Sequence, residues 1–138
     1  MTEHVTDPVL RIVAAVVLDD DGHVLVVRKR DTTAFMQPGG KIEPGEQPLA
    51  ALQREVVEEL GTAVEPSSVR SLGRHRAIAA NEPGHTVDAY LYLVRLDGTP
   101  AVAAEIEEMA WVDPSAPGDV ELAPLTRDTV FALARELV

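Results

Sequence analysis

Three glutamates at helical spacing are the residues of this sequence best suited to chemistry. Glu55, Glu58 and Glu59 lie in the segment 48–60, whose apolar residues recur with the period of an α-helix. Residues spaced i, i+3 and i+4 share one face of a helix, and this face is opposite the apolar stripe of Leu49, Leu52, Val56 and Leu60. Clustered carboxylates repel one another, but they also supply the oxygen ligands that Mg²⁺ prefers. The helix alone therefore indicates either a divalent-cation site or a solvated acidic face.

The glutamates belong to a longer motif with fixed spacing. Gly40 is followed after five residues by Glu46, and after seven more by the run Arg54-Glu55-Val56-Val57-Glu58-Glu59-Leu60-Gly61. This arrangement matches the Nudix box, G-x5-E-x7-R-E-U-x-E-E-x-G-U, in which U is a bulky aliphatic residue. Seven fixed identities at fixed spacing have a chance frequency on the order of 10⁻⁸ per starting position at average residue usage. The chain therefore resembles the Nudix hydrolases, in particular the MutT-like ones, with the box at residues 40–62.

The resemblance implies a fold and a reaction. Similar proteins form an α/β/α sandwich with a mixed β-sheet, and we expect residues 1–138 to form a single domain of this kind. They use Mg²⁺ or Mn²⁺ to hydrolyse a phosphoanhydride bond in a nucleoside diphosphate that is linked to another moiety. The physical chemistry agrees, because a polyphosphate is highly anionic and cations must neutralise it before a water attacks phosphorus.

The resemblance also assigns roles to residues in and beside the box. Glu55 and Glu59 are the best metal ligands, Glu58 is a close third, and the backbone carbonyl of Gly39 adds an oxygen ligand. Glu55 is alternatively the general base. Glu46 is either a further ligand or a carboxylate stabilised at the amino terminus of the helix by the helix dipole.

Other residues are expected to contact the substrate or to support catalysis. Arg54 either pairs with a box carboxylate and orients it, or is an exposed helix arginine. Arg28 corresponds to a phosphate-contacting arginine of MutT-like relatives. Arg30 and Lys41 are weaker candidates for the same role, and a surface charge is the preferred interpretation of these two. Glu107 is the expected additional ligand or base, chosen from the acidic residues that precede the strand at 109–112, which are Glu105, Glu107 and Glu108.

The substrate is less constrained than the reaction. Gln37 stands before the Pro-Gly-Gly sequence, where similar proteins often have an apolar or aromatic residue, and Thr62 replaces an aliphatic residue at the last box position. Neither Ala77 nor residues 78–80 match the residues typical of ADP-ribose pyrophosphatases or diadenosine polyphosphate hydrolases. These absences favour a nucleoside triphosphate pyrophosphohydrolase. The alternatives are an ADP-ribose or nucleotide-sugar pyrophosphatase and a non-catalytic nucleotide-binding regulatory module, against which the intact box carboxylates argue.

The elements that must position these residues alternate between strands and helices. Residues 9–18 and 23–28 predict a β-hairpin that turns at Asp21-Gly22, and the Pro- and Gly-rich segment 31–46 predicts a loop. Pro48 suits the first turn of the box helix and Gly61 suits its end. Beyond the box, the pattern predicts strands at 69–80, 86–96 and 109–112 and a helix from about 124 to 138. This order predicts a mixed sheet with helices on its faces.

Composition narrows the possible partners. A net charge of −11 argues against binding to duplex nucleic acid or to anionic membranes, although a bound cation can reverse the local field. The absence of cysteine excludes thiolate nucleophiles and Cys-ligated zinc. No apolar run approaches the ~18 residues of a membrane span, and the amino terminus lacks the pattern of a signal peptide. We therefore expect a cytoplasmic protein with a small nucleotide substrate and no membrane partner, and a homodimer by similarity to the family.

Overall fold

The computed structural model describes residues 8–137. The segment 1–7, which entered the expectation about a signal peptide, and Val138, the expected last residue of the second helix, lie outside the described residues. The elements in chain order are β1 (Val9–Val16), β2 (Val24–Lys29), β3 (Gly39–Lys41), α1 (Pro48–Leu60), a 3-10 turn (Pro66–Ser68), β4 (Arg70–Ile78), β5 (Thr86–Leu93), β6 (Ile106–Val112), a π-helical segment (Leu125–Val130) and α2 (Phe131–Leu137).

The main sheet has four strands in the order β3-β1-β5-β4, and it is mixed. β1 runs parallel to β5, whereas the β1–β3 and β5–β4 pairs are antiparallel. The continuous β-branched and apolar run of β1 suits a central strand that is covered on both faces. The predicted mixed sheet is confirmed, and the strands expected at 69–80 and 86–96 correspond to β4 and β5.

The predicted hairpin of β1 and β2 is wrong except at its tip. Leu18 bridges Val24 there, and the Asp19 carboxylate accepts hydrogen bonds from the backbone N–H groups of Asp21 and His23. The two strands then diverge, and β2 pairs antiparallel with β6 in a separate two-stranded sheet. A turn signal between two apolar runs predicts a chain reversal, but it does not determine which neighbour each strand pairs with.

One helix covers each face of the main sheet, which gives the predicted sandwich. α1 packs on a core cluster that contains Val13 and Ala15 of β1, and the final helix packs on a second cluster that contains Ala14 and Val16. Neighbouring residues of β1 enter opposite clusters because successive side chains of a strand point to opposite faces. None of the helices in the described range 8–137 has the length and apolar character needed to cross a membrane.

The segment 31–46, predicted as a loop, contains a short strand that positions the amino end of α1. β3 pairs with β1, with Gly39 opposite Ala14. A Cβ atom at Gly39 would lie 2.0 Å from the carbonyl oxygen of Val13, so this close approach of two backbones requires glycine. The chain that leads into α1 is therefore anchored directly on the central strand.

Candidate active site

The glutamate face of α1 borders a cavity of about 500 Å³. Glu55, Glu58 and Glu59 line it together with Gly39 and Gly40 of β3. The other walls come from β1, the β4–β5 loop, residues 104–105 and the start of the final helix. The three carboxylates thus share one face of the helix, and that face adjoins a cavity large enough for a small ligand.

Glu59 is the most deeply buried of the three glutamates, with 6% of its surface exposed. Its Oε1 accepts a hydrogen bond from the backbone N–H of Gly39 at 3.0 Å. Burial raises the pKa of Glu59 to about 7, and the Gly39 hydrogen bond opposes only part of that rise. Glu59 takes part in none of the salt bridges formed within residues 8–137, so its charged form has no close cationic partner there.

Glu55 lies against β3 because Gly40 has no side chain. A Cβ atom at Gly40 would lie 2.6 Å from the carboxyl carbon of Glu55. Burial raises the pKa of Glu55, while the hydrogen bond and the charge of Arg54 lower it. The second glycine of the Pro-Gly-Gly sequence therefore sets the position of a carboxylate that lines the cavity.

Arg54 forms hydrogen bonds to two carboxylates of the box. Its Nε and Nη2 donate to the two carboxylate oxygens of Glu46 at 2.9 and 2.8 Å, and its Nη1 donates to Glu55 Oε1 at 2.8 Å. Nη2 also donates to the backbone carbonyl of Lys41 at 3.2 Å, and Nη1 lies 3.7 Å from Glu58 Oε2. The pKa of Arg54 is raised, and the hydrogen bond to Glu46 is the largest cause of this rise. Arg54 is therefore hydrogen-bonded to two carboxylates of the box, Glu46 and Glu55.

Glu46 connects the loop before α1 to the helix. Besides its two bonds from Arg54, its carboxylate accepts a hydrogen bond from the backbone N–H of Glu43 at 3.0 Å. The Arg54 hydrogen bond lowers the pKa of Glu46 to about 2. The N-cap residue of α1 is Gln47, and no side-chain hydrogen bond caps the helix at that residue. Both carboxylate oxygens of Glu46 are thus hydrogen-bonded to Arg54, and Glu46 directly precedes the N-cap residue of α1.

The two basic residues predicted to contact substrate lie in different places. Lys41 lines the cavity, where its Nζ lies 3.1 Å from Glu82 Oε1. Arg28 points elsewhere, and its Nε donates to Glu108 Oε1 at 2.9 Å. The next residue of β2, Lys29, lines the cavity instead. Alternation along the strand was the available signal, but it does not say which of two adjacent basic residues faces inward.

The acidic residues near the start of β6 also differ from the prediction. Glu107 lies within β6, where its carboxylate is 3.4 Å from Nε of Arg30. Glu105, just before β6, lines the cavity beside Ala104. Ala104 has a φ of 51°, in the left-handed region, so the backbone turns sharply before the strand begins. The structure thus brings Glu105, and not Glu107, to the box glutamates.

The donor set around the cavity fits Mg²⁺ or Mn²⁺ in its chemistry. Glu55, Glu58 and Glu59 offer hard oxygen ligands, and a cation would compensate the buried charge of Glu59. Over residues 8–137 no three acidic or histidine side chains form a ready-made metal cluster. The hydrogen bonds explain this, because Glu59 is turned to the N–H of Gly39 and Glu55 is turned to Arg54. Metal binding would require these carboxylates to reorient.

The mixed sheet with one helix on each face defines an α/β protein. Its cavity is lined by the glutamates of α1 and by two lysines, so the site suits a cation and an anionic ligand. The family model of the NUDIX domain matches residues 8–133. The chain belongs to the Nudix family, and the family predicted from the box is confirmed.

Known proteins similar to the chain agree with this membership. A Mycobacterium tuberculosis protein with the provisional name 8-oxo-dGTP diphosphatase 2 is 35% identical over 101 residues, which are 72% of this chain and 68% of that protein. The RNA pyrophosphohydrolase of Halorhodospira halophila is 42% identical over 64 residues, or 46% of this chain and 34% of the relative. The chain thus spans only about a third of that relative. The crystal structure of the MutT Nudix hydrolase from Burkholderia pseudomallei matches with a TM-score of 0.73 and 25% identity over 94% of this chain and 98% of that one.

Proposed function

We propose that this chain is a metal-dependent hydrolase that cleaves a phosphoanhydride bond in a nucleoside diphosphate linked to another moiety. The observation that carries the proposal is the position of Glu55, Glu58 and Glu59 on a cavity, within an intact Nudix box. Relatives named as a pyrophosphohydrolase and as a diphosphatase support the same reaction class. A non-catalytic nucleotide-binding module is the second candidate, and the presence of every box carboxylate weighs against it.

Glu55, Glu58 and Glu59 are the proposed ligands of Mg²⁺ or Mn²⁺. The bound cation would neutralise the phosphate oxygens and so favour attack at phosphorus. Glu59 gains most from a cation, because it is buried without a salt-bridge partner among residues 8–137. Glu55 and Glu58 border the same cavity, and the carbonyl of Gly39 is a further candidate ligand. We assign Glu46 to bracing Arg54, because its oxygens are already engaged.

The basic residues of the cavity have a separate task. Lys29 and Lys41 lie in its lining and would attract and orient the phosphate chain of the substrate. We prefer Lys29 to Arg28 for this task, since Arg28 is committed to Glu108. Arg54 acts indirectly, as a positioning residue that holds the Glu55 carboxylate.

The base that removes a proton from the attacking water is assigned to a carboxylate beside the metal ligands. Glu105 is preferred to Glu107, because Glu105 lines the cavity and Glu107 faces Arg30. Glu55 is the alternative base, and burial raises its pKa toward the range in which a carboxylate accepts a proton efficiently.

A nucleoside triphosphate is the proposed substrate, cleaved to a nucleoside monophosphate and pyrophosphate. An ADP-ribose or nucleotide-sugar substrate is the alternative, because the cavity joins a carboxylate region to an apolar region without fixing the leaving group. We also propose that residues 1–138 act as a single domain and assemble as a homodimer. Size-exclusion chromatography with light scattering tests the assembly, and a monomer at micromolar concentration would refute it.

The experiment is product release from a nucleotide panel, with Mg²⁺, with Mn²⁺ and with a chelator. The panel holds the common nucleoside triphosphates, 8-oxo-dGTP, ADP-ribose, nucleotide sugars and dinucleoside polyphosphates. The variants are Glu59→Gln and, as a matched control on the exposed face of α2, Glu136→Gln. Metal-dependent turnover that Glu59→Gln loses and Glu136→Gln keeps would support the proposal. Absence of turnover on the whole panel would favour the binding module, whereas equal turnover in Glu59→Gln would refute the role proposed for Glu59.

A further inference from the structure

Two buried side-chain oxygens of the described residues have no hydrogen-bond partner, and both belong to residues that line the cavity. They are Oε1 of Gln37 and Oγ1 of Thr126. Gln37 has 6% of its surface exposed and Thr126 has none. Buried polar groups in native proteins are almost always hydrogen-bonded, and leaving one without a partner costs free energy. Two such oxygens at one cavity therefore indicate groups kept for a ligand.

The pairing of two distant segments places these residues on one wall of the cavity. The backbone N–H of Phe35 donates to the carbonyl of Glu121 at 2.8 Å, and the N–H of Ala123 donates to the carbonyl of Phe35 at 2.8 Å. Gln37 follows Phe35 by two residues, and Thr126 follows Ala123 by three. This wall is formed mostly by apolar side chains, which include Met36 and Leu125, and it is distinct from the glutamate face of α1.

The hydrogen bonds of Gln37 decide which atom of its amide is free. Its Nε2 donates to the backbone carbonyl of Ala15 at 3.0 Å and lies 3.5 Å from that of Leu25. Both partners are acceptors, so the amide cannot be reversed without placing its own oxygen against two carbonyl oxygens. The free atom is therefore the acceptor Oε1, which requires an N–H or O–H donor from the ligand. The hydroxyl of Thr126 rotates, so it can donate or accept.

We propose that Gln37 and Thr126 recognise the nucleobase of the substrate, with Gln37 Oε1 accepting a hydrogen bond from a base N–H and the Thr126 hydroxyl bonding an adjacent polar atom. This inference rests on the proposed function, since it assigns the non-phosphate end of the same substrate. An apolar wall with a few fixed polar groups is the usual construction of a site for a planar heterocycle. Met36 lines the same cavity, and its unbranched side chain can change rotamer to fit a bound base.

Thr126→Val is the most informative variant, because valine keeps the shape of threonine and removes only the hydroxyl. The melting temperature of the free protein stays the same or rises, since the hydroxyl has no partner to lose. The kcat/KM for the preferred nucleotide falls about tenfold, the usual effect of one hydrogen bond to a ligand. The inhibition constant of inorganic tripolyphosphate, which has no base, does not change. Thr62→Val, at a threonine outside the cavity lining, is the control.

Gln37→Met is the second variant, and it lowers kcat/KM in the same base-dependent way. Its melting temperature is measured alongside, because the Ala15 carbonyl loses a donor. Methylation of N1 of guanine, which removes an N–H donor, tests the role of the acceptor directly. If guanosine nucleotides are substrates, methylation should lower the kcat/KM of the nucleotide with the natural chain. The kcat/KM of the methylated nucleotide should not fall further with Gln37→Met. Equal losses of kcat/KM in Gln37→Met for the methylated and the unmethylated nucleotide would overturn the role of Gln37 as acceptor from guanine N1–H.

Binding measured without turnover separates this inference from the proposed function. Nucleoside monophosphates in chelator are added to the natural chain and to Thr126→Val, and the shift in melting temperature is recorded. Stabilisation of the natural chain that is reduced in Thr126→Val supports base recognition even if no nucleotide is hydrolysed. Turnover of nucleotides with identical kcat/KM in the natural chain and both variants would overturn the inference and leave the hydrolase intact. Absence of any nucleotide-induced shift, together with absence of turnover, would overturn both.

Discussion

Glu59→Gln should stabilise the metal-free protein at neutral pH, although it removes a proposed ligand. The carboxylate is 6% exposed, and burial raises its pKa from 4.5 to about 7. Such a rise corresponds to a cost of at most about 3 kcal/mol in the free energy of unfolding once both states are ionised. Glutamine fills nearly the same volume, and its Oε1 can still accept the hydrogen bond from Gly39. The variant therefore keeps the contact and removes the buried charge.

The stabilisation should depend on pH in one direction. Below pH 4.5 the carboxyl group is protonated in both states, so the natural chain bears no cost. Between pH 4.5 and 7 the unfolded chain releases its proton and the folded chain does not, so the stability of the natural chain falls relative to that of the variant as pH rises. Above pH 7 the difference is constant. Since 1 kcal/mol shifts the melting temperature of a domain of this size by roughly 3–5 °C, the variant should melt several degrees higher at pH 8 and equally at pH 4.

Thermal melting in chelator between pH 4 and 8 measures this difference. Glu58→Gln is the matched control, because the Glu58 side chain is 57% exposed on the same helix. Adding Mg²⁺ should stabilise the natural chain and not Glu59→Gln, because a ligand stabilises only the state that binds it. A variant that melts lower than the natural chain at pH 8, or a difference that does not change with pH, would refute the assignment of Glu59 as a carboxylate whose burial raises its pKa.

Three further predictions concern the groups around Glu59. Gly40→Ala should lower kcat at least tenfold with a small change in melting temperature, because the new Cβ displaces the end of the flexible Glu55 side chain. Arg54→Lys should also lose most activity, since lysine cannot reproduce the bidentate contact, and an active Arg54→Lys enzyme would contradict the bracing role. Lys41→Ala should raise KM, and Glu82→Ala should not. Each variant should change the free energy of unfolding by less than about 1 kcal/mol, because the Lys41–Glu82 pair is exposed. Steady-state kinetics and chemical unfolding measure both effects.

Local patterns in the sequence predicted the box helix and the strands β4 and β5 correctly. The 3.6-residue period, Pro48 at its start and Gly61 with a φ of 66° at its end define α1. The β-strand patterns at 69–80 and 86–96 predicted β4 and β5, which pair antiparallel in the structure. The sharing of one face by Glu55, Glu58 and Glu59 follows from the same helical geometry. These features depend on residues a few positions apart, which is why the sequence contains them.

Features that depend on the choice of a distant partner were not predictable in the same way. β1 and β2 were paired by proximity in sequence, whereas β2 pairs with β6 about 80 residues away. The predicted contacts at Arg28 and Glu107 do not match the cavity lining, which contains Lys29 and Glu105 instead. Arg28 and Lys29 are adjacent on β2 and face opposite sides, and only the packing of the two sheets decides which side borders the cavity. Glu105 differs from Glu107 because it precedes β6, directly after the backbone turn at Ala104.

Product analysis by ³¹P NMR tests the central claim most directly, using the natural chain and Glu55→Gln with a nucleoside triphosphate in Mg²⁺ and in chelator. We expect nucleoside monophosphate and pyrophosphate from the natural chain in Mg²⁺, and nearly unchanged triphosphate in the other three samples. Equal product in chelator, equal product from Glu55→Gln, or no product from any nucleotide would contradict a metal-dependent hydrolase centred on the glutamate face of α1.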